Sequence, residues 1–256
     1  MKNKKSDIPE QESRHIPGDD CGPSAEEYRD FLADASHEMK TPLTSIIGYS
    51  EILINQPGLK EEEIRRFAGI IRREAARLSG IVSDIIALSE LDEGRLHREF
   101  ARVDLLDCCH KAAERLRPLA EARGVRVSVS GAHAEISGIR PYVVQMIENL
   151  CDNAIKYNRA GGSVGLAVEG TASGAVLTVS DTGIGISPEH LEHVFDRFYR
   201  VDRERSKELG GTGLGLSIVR SAAVLHGAEI DIKSTPGAGT TVRVIFPPNS
   251  AKAKKL

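Results

Sequence analysis

The sequence predicts an α+β chain of two unlike domains: an antiparallel helical hairpin that pairs into a dimeric four-helix bundle, then an α/β sandwich. Three observations predict it. Two long stretches of helical periodicity are separated only by the turn signal Gln56-Pro57-Gly58. The second stretch repeats Ile64, Phe67, Ile71, Leu78, Ile81, Ile85 and Leu88 at steps of three, four or seven, the spacing of a helix-packing seam. After the polar joint Asp92-Glu93-Gly94-Arg95 the texture changes to short β-rich runs mixed with helices, which marks a domain boundary.

In chain order, residues 1–23 mix Lys, Asp, Glu, Pro, Ser and Gly with almost no apolar side chains. Such a segment cannot repay the entropy of ordering, so a floppy linker arm is expected. The hairpin is expected over 24–92, its first helix opening at Pro23 and Ser24 and ending at Asn55, its second running from about Leu59 to Leu91. Two helices are too thin to bury both seams, so pairing with a second copy is the economical solution and a homodimer is expected. Residues 93–101 read as a linker, 102–248 as the α/β domain and 249–256 as a solvated tail. Within the α/β domain strands are expected at Val125 to Val129, Val164 to Val168, Val176 to Val179 and Thr240 to Ile245. Helices are expected near Asp104 to Arg123, Arg140 to Tyr157 and Gly215 to His226, forming one layer on the sheet.

Composition excludes several function classes. A formal net charge of -3 over 256 residues gives no broad basic field for nucleic acid. Cys21, Cys108, Cys109 and Cys151 form neither a C-x-x-C pair nor a zinc spacing, which points to reduced thiols. No stretch approaches the roughly 18 unbroken apolar residues of a spanning helix. The expectation is a cytoplasmic chain, or the cytoplasmic portion of an inner-membrane protein, that makes no membrane contact itself. His190 and His193 share a helix face without an evident third ligand, and Cys108 and Cys109 are expected to pack rather than react.

On the first helix His37 shares a face with Asp34, Lys40, Thr41 and Thr44, whereas Phe31, Ala35, Met39, Leu43, Ile46 and Ile47 lean toward the seam. His37 is therefore expected to face water. An exposed histidine is usually inert, and spacing alone does not lift this one above the rest. Pro42 adds a second signal, because it removes the helical bond to the carbonyl of Glu38 at a usual cost of about 3 kcal/mol. A bend one turn after His37 would loosen the helix beside the imidazole; a tolerated kink is the plainer alternative.

Farther on, Asn149, Asn153, Lys156 and Tyr157 fall on one helix face. Amide oxygens suit Mg²⁺, and an ammonium can neutralise phosphate charge, although an ordinary polar face would look the same. Asp181-Thr182-Gly183-Ile184-Gly185 follows a strand and offers a carboxylate able to accept from the exocyclic amine of adenine. Gly210 to Ser217 places a glycine-rich loop before a helix, where bare N–H groups can cradle phosphates. The loop lacks the ending of a P-loop, and Asp181 to Ser187 does not complete a dinucleotide fingerprint.

The run His37-Glu38-Met39-Lys40-Thr41-Pro42-Leu43 resembles the H-box of sensor histidine kinases. Asn149 to Tyr157, Asp181 to Gly185, Phe195 to Phe198 and Gly211 to Gly215 resemble, in that order, the N, G1, F and G2 boxes of the same family. The resemblance covers about Tyr28 to Pro247 and implies a phosphoacceptor hairpin followed by a Bergerat-type, or GHKL-type, ATP-binding domain. It implies ATP and Mg²⁺ as cofactors, with a second copy and the receiver domain of a response regulator as partners. His37 would be the phosphorylated nucleophile, Glu38 would accept its ring proton, and Thr41 would position water when the kinase dephosphorylates its partner. Asn149 and Asn153 would hold Mg²⁺, Lys156 and Tyr157 would contact the nucleotide, and Asp181 would read adenine from the loop of Gly183 and Gly185. Gly211, Thr212, Gly213, Leu214 and Gly215 would approach the phosphates. Arg200 looks like a lid arginine, and the charged segment Arg203 to Glu208 like a mobile lid, although a plain surface loop fits its composition equally.

Two rivals remain at this level. One is an ATP-hydrolysing machine of the related gyrase and chaperone superfamily, which carries a Glu one turn before the metal-binding Asn. This chain has Asn149 there, with Glu148 about 100° round the helix. The other is a dimeric scaffold with a dead pocket. One departure from the family pattern stands out, Ser137-Gly138-Ile139-Arg140, where many members carry an Asp just before the helix.

Overall fold

The computed structural model describes residues 12–16, 25–92, 99–172, 174–202 and 209–248. The described residues form two compact units, one of 12–16, 99–172, 174–195 and 219–248, the other of 25–92, 196–202 and 209–218. The expected tail, the segment 203–208, most of the linker and the rest of the N-terminal arm lie outside the described residues.

The first unit is built on a six-stranded sheet. Its strands are β1 (Glu12–Ile16), β3 (Arg126–Gly131), β5 (Ser163–Thr171), β6 (Gly174–Asp181), β7 (Glu229–Thr235) and β8 (Gly239–Phe246), in the order β1-β7-β8-β6-β5-β3. Every neighbouring pair is antiparallel except β3 with β5, whose parallel register pairs Val127 with Val164. The parallel step needs a crossover, and α4 (Arg140–Lys156) lies in that connection. A separate ladder joins β2 (Ala101–Asp104) to β4 (Glu135–Gly138). The helix α3 (Leu105–Arg123) packs on α4 and β3, and α4 packs over β5 and β6. Alternating side chains supply the core, with Val164, Leu166 and Val168 of β5 fully buried and Ile230, Ile232, Val244 and Phe246 almost so. Cys108, Cys109 and Cys151 are buried free thiols, and burial raises all three, Cys109 and Cys151 to about 12. Cys108 and Cys109 are thus packed in the interior, the placement expected of them.

Local chemistry fixes the ends of α3. Asp104 caps it by accepting from the Asp107 N–H at 3.0 Å, and Gly124 closes it in the left-handed conformation. Two further short helices are α5 (Pro188–Leu191) and α6 (Gly215–Leu225).

The expectation of a free arm is corrected at 12–16. These residues form β1, paired from Glu12 opposite Ser234 to Ile16 opposite Ile230. Ile16 is buried, and Arg14 Nη1 donates to the Leu191 carbonyl at 3.1 Å. A polar segment can order in this way because an open sheet edge supplies backbone partners without needing an apolar sequence.

The second unit contains the hairpin, α1 (Ala25–Asn55) and α2 (Glu61–Asp92), close to the expected limits. The turn between them opens α2 with half a capping box, Glu63 Oε2 accepting from the Lys60 N–H at 2.9 Å. Glu61, Glu62 and Glu63 place negative charge on the positive end of the helix. Ile81 and Leu88 are fully buried, and Phe31 and Ala35 nearly so. Leu43 and Ile47, which lean toward the expected seam, are about half exposed in the single chain, at 47% and 49%. Pro42 is buried inside an unbroken α1.

Candidate functional site

The sequence-predicted residues divide between the units. Asn149, Asn153, Lys156, Tyr157, Asp181, Gly183 and Gly185 lie in the first. His37, Glu38, Thr41, Arg200, Gly211, Thr212, Gly213, Leu214 and Gly215 lie in the second.

In the first unit, α4 delivers its amides from the middle of the helix. Asn149 and Asn153 are one turn apart and both half-buried, and Asn149 Nδ2 is a buried atom with no partner among the described residues. A buried amide without a partner is costly unless a ligand completes it. Lys156 Nζ meets Asp152 Oδ2 at 2.7 Å one turn back. The end of α4 then touches the loop after β6. The Tyr157 carbonyl accepts from the Ile184 N–H at 3.1 Å.

Asp181, the last residue of β6, turns its Oδ1 onto that loop, accepting from the Gly183 N–H at 2.7 Å and the Thr240 N–H at 3.3 Å. Burial raises its carboxyl pKa and these two amides oppose the rise. Gly185 has φ 69°, and a Cβ there would run into the Thr235 carbonyl oxygen, so only glycine fits this close approach.

Several residues that hold this loop escaped the sequence reading. Arg159 Nε donates to the Thr182 carbonyl at 2.7 Å and its Nη2 to the Gly237 carbonyl at 3.0 Å, tying the end of α4 to two loops. Asn158 Nδ2 donates to the carbonyls of Ala154 and Ser163. The departure at Ser137 to Arg140 also has a local answer. His226 Nε2 accepts from the Ile139 N–H at 3.0 Å, while its Nδ1 faces the Ala222 carbonyl at 2.6 Å, which fixes the neutral ring with its proton on Nδ1. No motif pointed to these residues, because each acts through a partner distant in sequence.

In the second unit His37 is exposed on α1, as its helical face predicts. Thr41 is exposed one turn on, its Oγ1 at 3.5 Å from the His37 carbonyl. Glu38 is not a free carboxylate. Its Oε2 receives Arg77 Nη2 from α2 at 3.0 Å and Arg200 Nη2 at 2.8 Å, and the two arginine side chains are only 8% and 3% exposed. Arg200 Nη2 also donates to the Thr212 carbonyl at 2.7 Å, and Thr212 Oγ1 donates to Asp84 Oδ2 at 2.8 Å.

The glycine-rich loop has an internal reason for one of its glycines. Gly213 has φ 78°, and a Cβ there would meet the Phe198 backbone at 2.9 Å. Phe198 itself is the one non-glycine described residue with positive φ, at 58°, a strain that the packing around it holds in place. Its ring stacks on Phe31 at 5.7 Å, and Arg197 lies over the same Phe31 ring while pairing with Asp92 at 2.8 Å. Arg77 and Asp84 were not singled out from sequence, and Asp92 was read only as part of a polar joint, since a pair such as Arg77 with Glu38, 39 residues apart, leaves no local pattern.

Known proteins share this organisation. Residues 27–94 match the His Kinase A (phospho-acceptor) domain, and residues 138–250 match the histidine kinase-, DNA gyrase B-, and HSP90-like ATPase. Sensor histidine kinase RppB of Synechocystis is 33% identical over 226 residues, 88% of this chain and 50% of that protein. Sensor protein SrrB of Staphylococcus aureus is 32% identical over 220 residues, 86% of this chain and 38% of that protein. The chain thus spans half or less of the length of these curated relatives. Among solved structures, full-length ShkA in complex with AMPPNP is similar with TM-score 0.64 at 26% identity, over 86% of this chain and 46% of that one. The Acinetobacter baumannii histidine kinase AdeS shares the fold with TM-score 0.65 at 21% identity, over 82% of this chain and 98% of that one. Among the described residues no helix is long and apolar enough to cross a membrane. With a phospho-acceptor hairpin followed by an ATP-binding domain of the histidine kinase type, the chain belongs to the sensor histidine kinases of two-component systems.

Proposed function

We propose that this chain is an autophosphorylating core that moves the γ-phosphoryl group of ATP onto its own His37. The observation that carries the reading is an exposed imidazole followed directly by a carboxylate held by two arginines, in a chain that also has a histidine kinase-type ATP domain. A ring nitrogen of His37 attacks the γ-phosphorus, the P–N bond forms, and the bond to the β-phosphate oxygen breaks. ADP leaves, and the ring proton passes to Glu38. Phosphoryl transfer asks a protein mainly for positioning and charge neutralisation. Asp181 would accept from the adenine amine, and Arg200, whose buried Nε has no partner among the described residues, would turn to the phosphates. Asn149 and Asn153 would each present an amide oxygen to Mg²⁺, and the unpartnered Nδ2 of Asn149 would donate to a phosphate or water oxygen beside it. Mg²⁺ bound there would supply charge stabilisation to the transferring group.

The partners follow from the same reading. Leu43, Ile47 and Ile54 on α1 and Val82 and Ile86 on α2 are exposed apolar residues at helical spacing, the kind of stripe that a second copy covers in a four-helix bundle. The phosphoryl group would then pass from His37 to an aspartate of a response-regulator receiver domain, with Thr41 aligning water for the reverse, dephosphorylating reaction. The ATPase and dead-scaffold alternatives predict no phosphohistidine. The test is His37→Gln in the full chain, which should abolish labelling by γ-labelled ATP while nucleotide binding persists. Retained label would refute the assignment. Thr41→Ala should keep autophosphorylation and slow receiver dephosphorylation, and an unchanged phosphatase rate would remove that role.

A further inference from the structure

We propose that Arg77, on α2, is a positioning residue for phosphoryl transfer, holding the Glu38 carboxylate where it can take the ring proton of His37. The inference rests on the proposed role of Glu38 and extends it to a residue outside the family boxes read from the sequence.

Glu38 follows His37 directly on α1, and its long side chain can leave the reach of the imidazole by simple rotation. A base must stay within hydrogen-bond distance of the proton it removes, so whatever restrains that rotation raises the reactive fraction. Arg77 supplies such a restraint from the opposite helix, with Nη2 at 3.0 Å from Glu38 Oε2. Its own orientation is supported one turn earlier by Glu74, 3.9 Å from Nη1. The guanidinium is planar and delocalised and directs its donors along fixed lines, which suits it to orient a carboxylate.

A buried, incompletely paired cation is a poor device for stability alone. The Arg77 side chain is 8% exposed, and its Nε is buried with no partner among the described residues. Burying a cation with an unmet donor is costly, and an apolar residue of similar volume often serves a helix interface as well or better. The geometry of the contact suits a role at the reaction instead. Arg77 and Arg200 both bind Oε2, so among the described residues no donor occupies Oε1. That second oxygen is available to the imidazole. The two arginines also differ in their anchorage. Arg200 sits on a loop and divides its Nη2 between Glu38 and the Thr212 carbonyl, whereas Arg77 is fixed on the same hairpin as Glu38. When Arg200 turns to phosphates, Arg77 keeps Glu38 in position.

The test is a double-mutant cycle on the full chain, reading the single-turnover rate of phosphohistidine formation at saturating Mg-ATP together with KM for ATP. Arg77→Ala should lower the rate about tenfold or more with KM unchanged, and Arg77→Lys should recover part of the loss. In a Glu38→Gln background, Arg77→Ala should cost nothing further. Should Arg77→Ala unfold the hairpin, Arg77→Met gives the same comparison with volume retained. An equal loss from the Arg77 substitution with Glu38 present and absent, or no loss at all, would overturn the positioning role. A full rate for Glu38→Gln would instead remove Glu38 as the proton acceptor and, with it, the purpose of Arg77.

Discussion

Asp181 combines two requirements in one carboxyl group. One oxygen shapes the loop through the amides of Gly183 and Thr240, while burial pushes the group above the ordinary carboxylate range. A group raised in this way takes up a proton at higher pH than an exposed aspartate, and the protonated form is the weaker acceptor for an adenine amine. ATP affinity should therefore fall as pH drops, starting above the usual carboxylate titration. Asp181→Asn should bind more weakly at neutral pH and lose that pH dependence, as calorimetry from pH 8 to pH 4.5 would reveal. His226 works with the opposite sign. Burial lowers it, so the unfolded chain binds its proton first, and the stabilisation is complete above about pH 6.5 and lost as pH falls toward the folded value. Thermal melting should show a steeper loss from pH 7 to pH 5 in the native chain than in His226→Gln. At this scale the motif residues His37, Glu38, Asn149, Asn153 and Asp181 were legible because neighbours in sequence share their chemistry. Arg77, Arg159 and His226 were not, because each acts on a partner brought near only by folding.

Elements were readable where a periodic apolar pattern ran long enough to select a partner face. The limits of α1 and α2 and the cores of β5, β6 and β8 follow that rule. β7 escaped because Glu229-Ile230-Asp231-Ile232-Lys233 alternates too briefly and too polarly to stand out from a loop. β2 and β4 are four residues each and depend on one another. β1 is the clearest case of tertiary context overriding composition, since Ile16 is its one buried residue among the described side chains and its backbone pairs with the edge of β7. Removing residues 1–16 should uncover that edge, lower the melting temperature of the first unit by a few degrees and favour self-association at high concentration. Calorimetry and light scattering would check both effects, and an unchanged chain in both assays would show that β1 contributes nothing to the sheet.

For the whole molecule, there are two folds with separate cores, a helical stem bearing His37 and an α/β unit bearing Asn149, Asn153 and the buried Asp181. Residues 43, 47, 54, 82 and 86 are exposed apolar positions on the stem, which the proposed second copy would cover. Ile47→Glu together with Ile86→Glu should convert a dimer to a monomer in sedimentation. A dimer that survived both charges would place the interface elsewhere. The step from hairpin to α/β fold was legible from the change of texture after Asp92, whereas the contacts of Arg200 with Glu38 and Thr212 were hidden, because spacing carries no record of which charges meet.

The most direct test follows the phosphorus itself. The intact chain is incubated with Mg-ATP, and the modified residue is located by mass spectrometry of peptides kept at alkaline pH. The account predicts one acid-labile, base-stable phosphoryl group on His37. A phosphoryl group on another side chain, or steady release of inorganic phosphate with His37 unmodified, would contradict it.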